Sequence, residues 1–328
     1  MPKHKFSLVA CARWEDEHIL EWLDYHKAIG FDHVYLWSND DDPEALRRAV
    51  EPHLGEQHPF VTFNHWPTVG QQFHIYENFL ENYAHETEWF SFLDIDEFLV
   101  LRAVNDIRVF MGGIDPAIDC VYFHWANFGA NGRVERQPGS ILTGLVRREQ
   151  GMDFHTKNLV RSSKVSLDLI RQGLHNGALA YHHFWDDYKF PDFRICNVLG
   201  EETPGYTDNF PIRAHAYTHR PEYQDQIFQT AYCAHFRFKS EEDFVRRANR
   251  GGNPAQNVWG NRHTTNEHKK ILAAHDAVLD TYLADFWGPR QQMLDVVRRA
   301  RRTLIAKGGV ADYREFLGAL STVGLDQA

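Results

Sequence analysis

The chain is poor in cysteine: Cys11, Cys120, Cys196 and Cys233 are the only four in 328 residues, and no two form a C-x-x-C pair. That spacing excludes a zinc ribbon, a thioredoxin-like redox pair and a dense disulfide scaffold. Positive charge is also short, since 35 Lys and Arg face 45 Asp and Glu and leave a net −10 with His neutral. A binder of phosphate backbones needs a basic surface, so nucleic acid is not an expected partner. No uncharged apolar run approaches the roughly 18 residues of a membrane span. Met1-Pro2-Lys3-His4-Lys5 does not resemble a signal peptide. The phosphate-cradling pattern G-x-x-x-x-G-K-[ST] is missing, as are internal repeats and low-complexity tracts. These absences point to a cytoplasmic globular protein with reduced thiols. Histidine and aromatics, by contrast, are plentiful: 20 His, 9 Trp and an aromatic share of 14%.

Apolar runs alternate with helical patterns through the first hundred residues. Phe6–Cys11, Asp32–Trp37, Phe60–Phe63 and Trp89–Leu93 read as strands, the last almost wholly apolar. Between them, Glu15–Ile29, Glu44–Val50 and Gln71–Ala84 have helical spacing, and Gly30 suits the end of the first helix. Such alternation predicts βαβ units and a parallel sheet covered on both faces, with ligands bound beyond the carboxyl ends of the strands. Polar residues collect at those ends: Arg13 to Glu15, Asn39 to Asp42, and Asp94-Ile95-Asp96-Glu97. Residues 173–221 carry no clear pattern, whereas Ser240–Asn249, Thr265–Leu283 and Arg290–Ala306 read as helices.

Asp94-Ile95-Asp96 is the sharpest chemical signal. Two carboxylates confined between the buried flanks WFSFL and FLV can hold a hard divalent cation, which in turn binds phosphate oxygens. An acidic turn in solvent is the plain alternative for the triplet taken alone.

An ordered set of segments carries a resemblance. Arg13-x-Glu15, Glu21-Trp22-Leu23-x-Tyr25-His26, Ile29-Gly30-Phe31-Asp32-His33, Gln72 and FLDIDEFLV come first. Trp125-x-x-Phe128-Gly129-x-x-Gly132, Arg136-x-Pro138-Gly139, Lys157-x-x-Val160-Arg161, His235-Phe236-x-Phe238-Lys239-Ser240 and Arg250-Gly251 follow. Together they resemble glycosyltransferase family 92 and the related family 2-like bacterial glycosyltransferases. The resemblance implies an α/β chain with the GT-A fold over residues 1–251 and a mainly helical extension over 252–328. It implies Mn²⁺ or Mg²⁺ held by Asp94, Asp96 and His235. Arg13, Glu15, Asn39, Gln72 and Asp94 would bind the donor, and Lys157 and Arg161, at i and i+4 of a strand, would meet its diphosphate or an anionic acceptor. Glu135, after the glycine loop, is the favoured catalytic base, with Asp153 as the other candidate.

The implied activity is inverting transfer from a nucleotide-diphosphate sugar, a UDP-sugar by preference, to a glycan or glycolipid hydroxyl. The chain departs from the family at Trp14, Ser38, Ala130-Asn131 and Ser162, which bears on donor identity and acceptor geometry rather than on the metal. Two other classes fit parts of the pattern. A metal-dependent nucleotidyl or phosphoryl transferase would release inorganic diphosphate rather than UDP, and a carbohydrate-binding protein would hold glycans without metal or nucleotide. His182-His183 reads better as a structural or acceptor-groove pair than as a metal site. Pro289–Lys307, with Arg298-Arg299-Ala300-Arg301-Arg302, is a basic helix suited to a solvated surface, an oligomer contact, or peripheral contact with the inner face of an anionic membrane.

Overall fold

A computed structural model of the chain describes residues 2–55, 59–175, 190, 192–243, 246 and 266–306. The first half is built as the apolar runs require. Strands β1 (His4–Ala12), β2 (His33–Ser38), β3 (Val61–His65) and β4 (Thr87–Phe92) are joined through α1 (Ile19–Ala28), α2 (Glu44–Val50) and α3 (Gln72–Asn82). All four strands pair in parallel in the order β3-β2-β1-β4. Helix α1 buries Ile19, Trp22, Leu23 and Tyr25, and each large apolar side chain contributes about 1.5–3 kcal/mol. Its polar atoms are satisfied on arrival: Trp22 Nε1 donates to the Glu97 carbonyl at 2.8 Å and Tyr25 Oη to that of Leu99 at 3.0 Å.

The second half changes direction. After β5 (Glu97–Val100), α4 (Ile107–Gly112), β6 (Cys120–Asn127), the short α5 (Ile141–Gly144) and β7 (Arg147–Arg148), strand β8 (Thr156–Arg161) enters between β4 and β6. It runs antiparallel to both. Helix α6 (Leu167–His175), β9 (Ile195–Asn197), α7 (Ile212–Thr218), α8 (Pro221–Thr230) and β10 (Tyr232–His235) follow. Strand β10 pairs in parallel with β6 and antiparallel with β5, which completes one nine-stranded sheet. The α/β expectation is met, with a parallel half continued by a mixed one as the GT-A fold implies. Because β8 is reversed, its first residues lie at the edge where β4 and β6 end, and that edge carries the site.

The abundance of histidine is partly a packing feature. His26, His33 and His124 are buried, and burial, which penalises the charged ring, pushes them down to about 3, 4 and 4. His26 Nδ1 bonds the Trp22 carbonyl at 2.8 Å and its ring stacks on Phe98, so it serves α1 as an aromatic spacer.

The C-terminal helices differ from the expected pair. Thr265–Leu283 divides into α9 (Asn266–His275) and β11 (Val278–Leu279), and one helix, α10 (Tyr282–Ala306), then runs through Pro289. Strand β11 pairs with β7, and this pairing interrupts the helix predicted from periodicity. Leu283 and Trp287 are buried on the α5 side, and Trp287 Nε1 donates to Glu21 at 2.9 Å, anchoring α10 ahead of the proline. Arg298, placed in the basic run, turns inward to Asp24 at 2.5 Å, a carboxylate that also takes His53 Nε2 at 2.9 Å. The run therefore does not present all its charges outward. Among the described residues no helix is long and apolar enough to cross a membrane.

Candidate active site

The turn after β4 is fixed from within. Glu97 N–H donates to the Asp94 carbonyl at 3.0 Å, and the Glu97 carboxylate takes the Asp94 N–H at 2.9 Å. The carbonyl of Asp96 accepts from Phe236 N–H at 2.8 Å, tying the turn to the end of β10. His235, opposite Glu97 on β5 and opposite Asn127 on β6, is thereby set beside Asp96. Their Nε2 and Oδ1 atoms stand 3.7 Å apart, and both side chains are buried, 4% and 8% exposed. That separation is too long for a hydrogen bond and suits two ligands of one cation bonded at about 2.0–2.2 Å each.

Asp94 takes a different part. Its Oδ1 accepts from Gln72 Nε2 at 2.9 Å, and its Oδ2 faces Lys157 Nζ at 3.1 Å. Gln72 also donates to Tyr76 Oη at 2.8 Å. Among the described residues, no group of three or more His, Cys, Asp or Glu side chains is gathered to hold a metal. The expected trio is thus divided: Asp96 and His235 are together, while Asp94 is held by Gln72 and Lys157.

Lys157 is fully buried, with Glu97 at 2.9 Å and Asp94 at 3.1 Å. These two carboxylates outweigh desolvation and keep it charged, whereas burial pushes Glu97 up to about 8. The expectation that Lys157 meets a diphosphate directly is corrected by this burial: it supports the site from beneath, through Asp94 and Glu97. Arg161 is corrected as well. Four residues along a strand cover roughly 13 Å, so it lies at the opposite edge of the sheet. There it covers Trp89 at 4.2 Å, donates to the Pro116 and Ile118 carbonyls, and pairs with Asp119 at 3.3 Å.

Arg13 donates to the Asn39 carbonyl at 2.5 Å, and Asn39 Nδ2 donates to the carbonyls of Trp66 and Thr68 at 2.5 and 2.9 Å. Glu15 faces Lys239 at 3.6 Å. These residues join the ends of β1, β2 and β3 as the strand pattern anticipated. Glu135 is exposed on the loop before α5. His182-His183 and Arg250-Gly251 lie outside the described residues, as does half of the helix expected over Ser240–Asn249.

A solvent-open pocket of about 390 Å³ lies against Asp96, lined by Trp14, Glu15, Arg136, Arg237, Lys239, Asp243 and Arg246. Its four cations against three carboxylates make a local setting for an anionic group despite the negative chain. Trp14 stands at its rim, 38% exposed and with φ of 59°, a left-handed conformation that a bulky residue rarely adopts. Its N–H donates to Asp40 at 2.9 Å, which holds the turn.

The glycine loop after β6 is held by the end of α9. Asp276 accepts from the N–H groups of Asn131 at 2.9 Å and Gly132 at 3.0 Å. A Cβ on Gly129 would stand 2.2 Å from Asp276 Oδ1 and 2.8 Å from the His275 backbone. Gly129→Ala is therefore expected to cost about 1–3 kcal/mol, read as a lower midpoint in urea unfolding, because the backbone of α9 must give way. An unchanged midpoint would contradict this close packing.

With the geometry in place, comparison with known proteins is direct. The sequence pattern of glycosyltransferase family 92 matches residues 9–164, the stretch that carries β1, the Asp94–Glu97 turn and β8. Over this stretch, a little under half of the chain, the protein is similar to glycosyltransferase family 92. A glycosyltransferase family 92 protein of Ricinus communis is 22% identical over 241 residues, covering 63% of this chain and 41% of its own length. One of Oryza sativa subsp. japonica is 23% identical over 183 residues, covering 55% and 30%. The chain thus spans less than half the length of these relatives. Among solved structures, a mannosyltransferase of Pyrobaculum calidifontis in complex with GDP-Man and Mn²⁺ superposes with a TM-score of 0.37 at 15% identity. That superposition covers 99% of this chain and 81% of that one. TarS of S. aureus gives 0.35 at 14% identity, covering 82% and 70%.

The same edge of the sheet also holds His155, Asn127 and Glu149, which motif reading passed over, beside Trp125 and Asp153, which it had named. Trp125 lies between His235, 4.5 Å away between ring centroids, and His155, stacked at 5.2 Å. Asp153 Oδ1 meets His155 Nδ1 at 2.7 Å, and Asn127 Nδ2 bonds both Glu149 at 2.9 Å and Asp153 at 3.2 Å. Despite partial burial, bonds from His155 and Asn127 bring Asp153 down to about 2, whereas burial raises Glu149 to about 7. What gathers them is the antiparallel entry of β8, which brings residues 153–157 against 123–127 and leaves no local mark in the sequence.

Proposed function

We propose that this glycosyltransferase domain moves a sugar from a nucleotide-diphosphate donor, a UDP-sugar, to a hydroxyl of a glycan or glycolipid, with a divalent cation and with inversion. The observation that carries the reading is the apposition of Asp96 and His235 at 3.7 Å, buried at the carboxyl edge of the sheet. A carboxylate and an imidazole suit Mn²⁺ or Mg²⁺, and the donor's phosphate oxygens would supply further positions on the ion. The chemistry such an ion supplies there is neutralisation of charge on the leaving diphosphate.

The chain's own residues account for the rest. Arg136, Arg237, Lys239 and Arg246 line the pocket against Asp96 and complement an anionic leaving group. Arg13, Asn39 and Glu15, at the ends of β1 and β2, form the side on which a nucleoside would rest. Direct displacement by an acceptor hydroxyl inverts the anomeric carbon and needs no covalent sugar–enzyme intermediate. A cytoplasmic setting, with an acceptor at the inner face of a membrane, agrees with the outward part of the basic run on α10.

The test is product analysis with a panel of UDP-sugars and GDP-mannose, with and without Mn²⁺. Mn²⁺-dependent release of free nucleoside diphosphate is expected. Release of inorganic diphosphate would point to nucleotidyl transfer instead, and glycan binding with no nucleotide affinity would sink both enzymatic readings.

A further inference from the structure

We infer that His275 and Asp276, at the corner where α9 ends, are positioning residues for donor binding: they hold the two chain segments that carry cations of the pocket against Asp96. The inference rests on the glycosyl-transfer reading above, and it makes the C-terminal extension part of the donor site.

The first segment is the glycine loop. Asn131 and Gly132 both have left-handed φ, 51° and 72°, and their consecutive N–H groups point to one carboxylate. Asp276 Oδ1 accepts from Asn131 at 2.9 Å and Oδ2 from Gly132 at 3.0 Å. A carboxylate suits such a pair, since it offers one accepting oxygen to each donor. The corner is pinned in turn: Arg147 Nε donates to the Asp276 carbonyl at 2.7 Å, and the Arg147 carbonyl accepts from Gly129 N–H at 3.0 Å. Gly129 lies so close to Asp276 and His275 that no Cβ fits, which leaves loop and corner little slack. At its start the loop is bonded to the end of β10, Phe128 N–H donating to the His235 carbonyl at 2.9 Å.

The second segment follows β10. Glu241 and Glu242 donate their N–H groups to the Arg133 and Val134 carbonyls at 3.1 and 3.0 Å, so this stretch lies along the outgoing arm of the glycine loop. Arg136 fastens the two together: its N–H donates to Glu242 Oε2 at 2.9 Å, and its Nε pairs with Asp243 at 2.9 Å. Arg136 and Asp243 both line the pocket. His275 meets the same stretch through Phe238, the two rings lying within 17° of parallel at a centroid distance of 5.9 Å. Phe238 is buried, and its two neighbours in sequence, Arg237 and Lys239, are pocket-lining cations. Burial and the nearby Arg237 push His275 down from its ordinary value, so near neutrality the ring is an uncharged support.

Two contacts from one corner thus bear on three of the pocket's cations: Arg136 through the glycine loop, and Arg237 and Lys239 through Phe238. The Asp96–His235 pair is held differently, by the bond from Phe236 N–H to the Asp96 carbonyl and by the pairing of β10 with β5 and β6. Loosening the corner therefore displaces the cations without parting Asp96 from His235. Charge-assisted contacts to a diphosphate depend on distance and aim, so the cost falls on affinity for the anionic donor rather than on the chemical step.

The test uses the full chain with Mn²⁺ and whichever nucleotide sugar of the panel above the wild type turns over. Asp276→Ala is expected to raise the donor KM, and the Kd of the released nucleoside diphosphate measured by calorimetry, by about tenfold, while kcat at saturating donor stays within about threefold of wild type. Inorganic diphosphate, added as an inhibitor, should weaken in parallel. Asp276→Asn keeps one accepting oxygen and should fall between, and His275→Ala should raise the same constants by about threefold or more. A merely structural role predicts the opposite split, because a smaller folded fraction lowers kcat and leaves KM where it was. Far-UV circular dichroism below the unfolding midpoint gives that fraction, and if Asp276→Ala does not fold, the comparison passes to the other two variants. Donor KM and diphosphate inhibition within about twofold of wild type, or a loss confined to kcat, overturns the inference and leaves the parent reading standing. A wild type that releases no nucleotide from any donor overturns both.

Discussion

Asp96→Ala and His235→Ala are each expected to reduce metal-dependent transfer by about 10³-fold or more, with the fold intact. Both groups sit at the edge where three strands end, and their side-chain atoms are held 3.7 Å apart by backbone bonds on either side rather than by each other. Neither change empties a core: Asp96 is in a turn whose carbonyl keeps its bond to Phe236, and His235 keeps its β pairings. The loss should therefore appear in Mn²⁺ affinity, followed by manganese EPR in the presence of UDP, and in kcat, with far-UV circular dichroism unchanged. Asp94→Ala is expected to behave differently. It removes a partner of Gln72 and Lys157, so its effect on Mn²⁺ affinity should be clearly smaller than that of Asp96→Ala. Equal loss of metal affinity in both variants would show that the two aspartates act as one ligand set and would refute the division between them.

What was legible in the sequence follows from how each feature is encoded. Strands β1, β2 and β4 are largely buried on both faces and appear as continuous apolar runs, so their existence, and with the intervening helices their parallel pairing, could be read from the sequence. The reversal of β8 could not. Thr156–Arg161 has no local mark that sets it antiparallel between β4 and β6, because that placement depends on pairing with residues more than thirty positions away. The same reversal accounts for both the unread cluster and the misread cations. It brings Asp153 and His155 against Asn127 and Trp125, and it sets Lys157 and Arg161 at opposite edges of the sheet. Periodicity correctly gives both one face of a strand, but it does not say what lies over that face. For Lys157 the neighbours are two carboxylates from the turn after β4, and for Arg161 they are Trp89 and Asp119. The helix pair expected after Thr265 failed for a related reason. Val278–Leu279 is drawn into a strand by β7, a partner 130 residues upstream.

The buried pair that this topology creates leads to the second large effect. Lys157→Ala is expected to destabilise the folded chain by about 3–5 kcal/mol, because it strips the buried Glu97 carboxyl of its ammonium partner and leaves that polar group unpaired inside. Glu97 is wholly buried, takes the Asp94 N–H at 2.9 Å and stands next to the turn that presents Asp96, so the damage should reach the site as well as the core. Lys157→Met with Glu97→Leu removes both charges and keeps apolar volume, and it should recover much of the lost stability, since paired burial of charge adds little net stability compared with well-packed apolar groups. Recovery of activity is not expected with it. The double variant still lacks the ammonium at 3.1 Å from Asp94 and the carboxylate that accepts the Asp94 N–H, so the turn loses two of its side-chain tethers at that residue and keeps the one from Gln72. Urea unfolding followed by tryptophan fluorescence measures the first quantity, and nucleoside-diphosphate release the second. If the single Lys157→Ala variant unfolds at the wild-type urea concentration, the pair is not the internal support described. If the double variant regains full transfer, the pair contributes stability alone and the Asp94–Glu97 turn is held by its backbone.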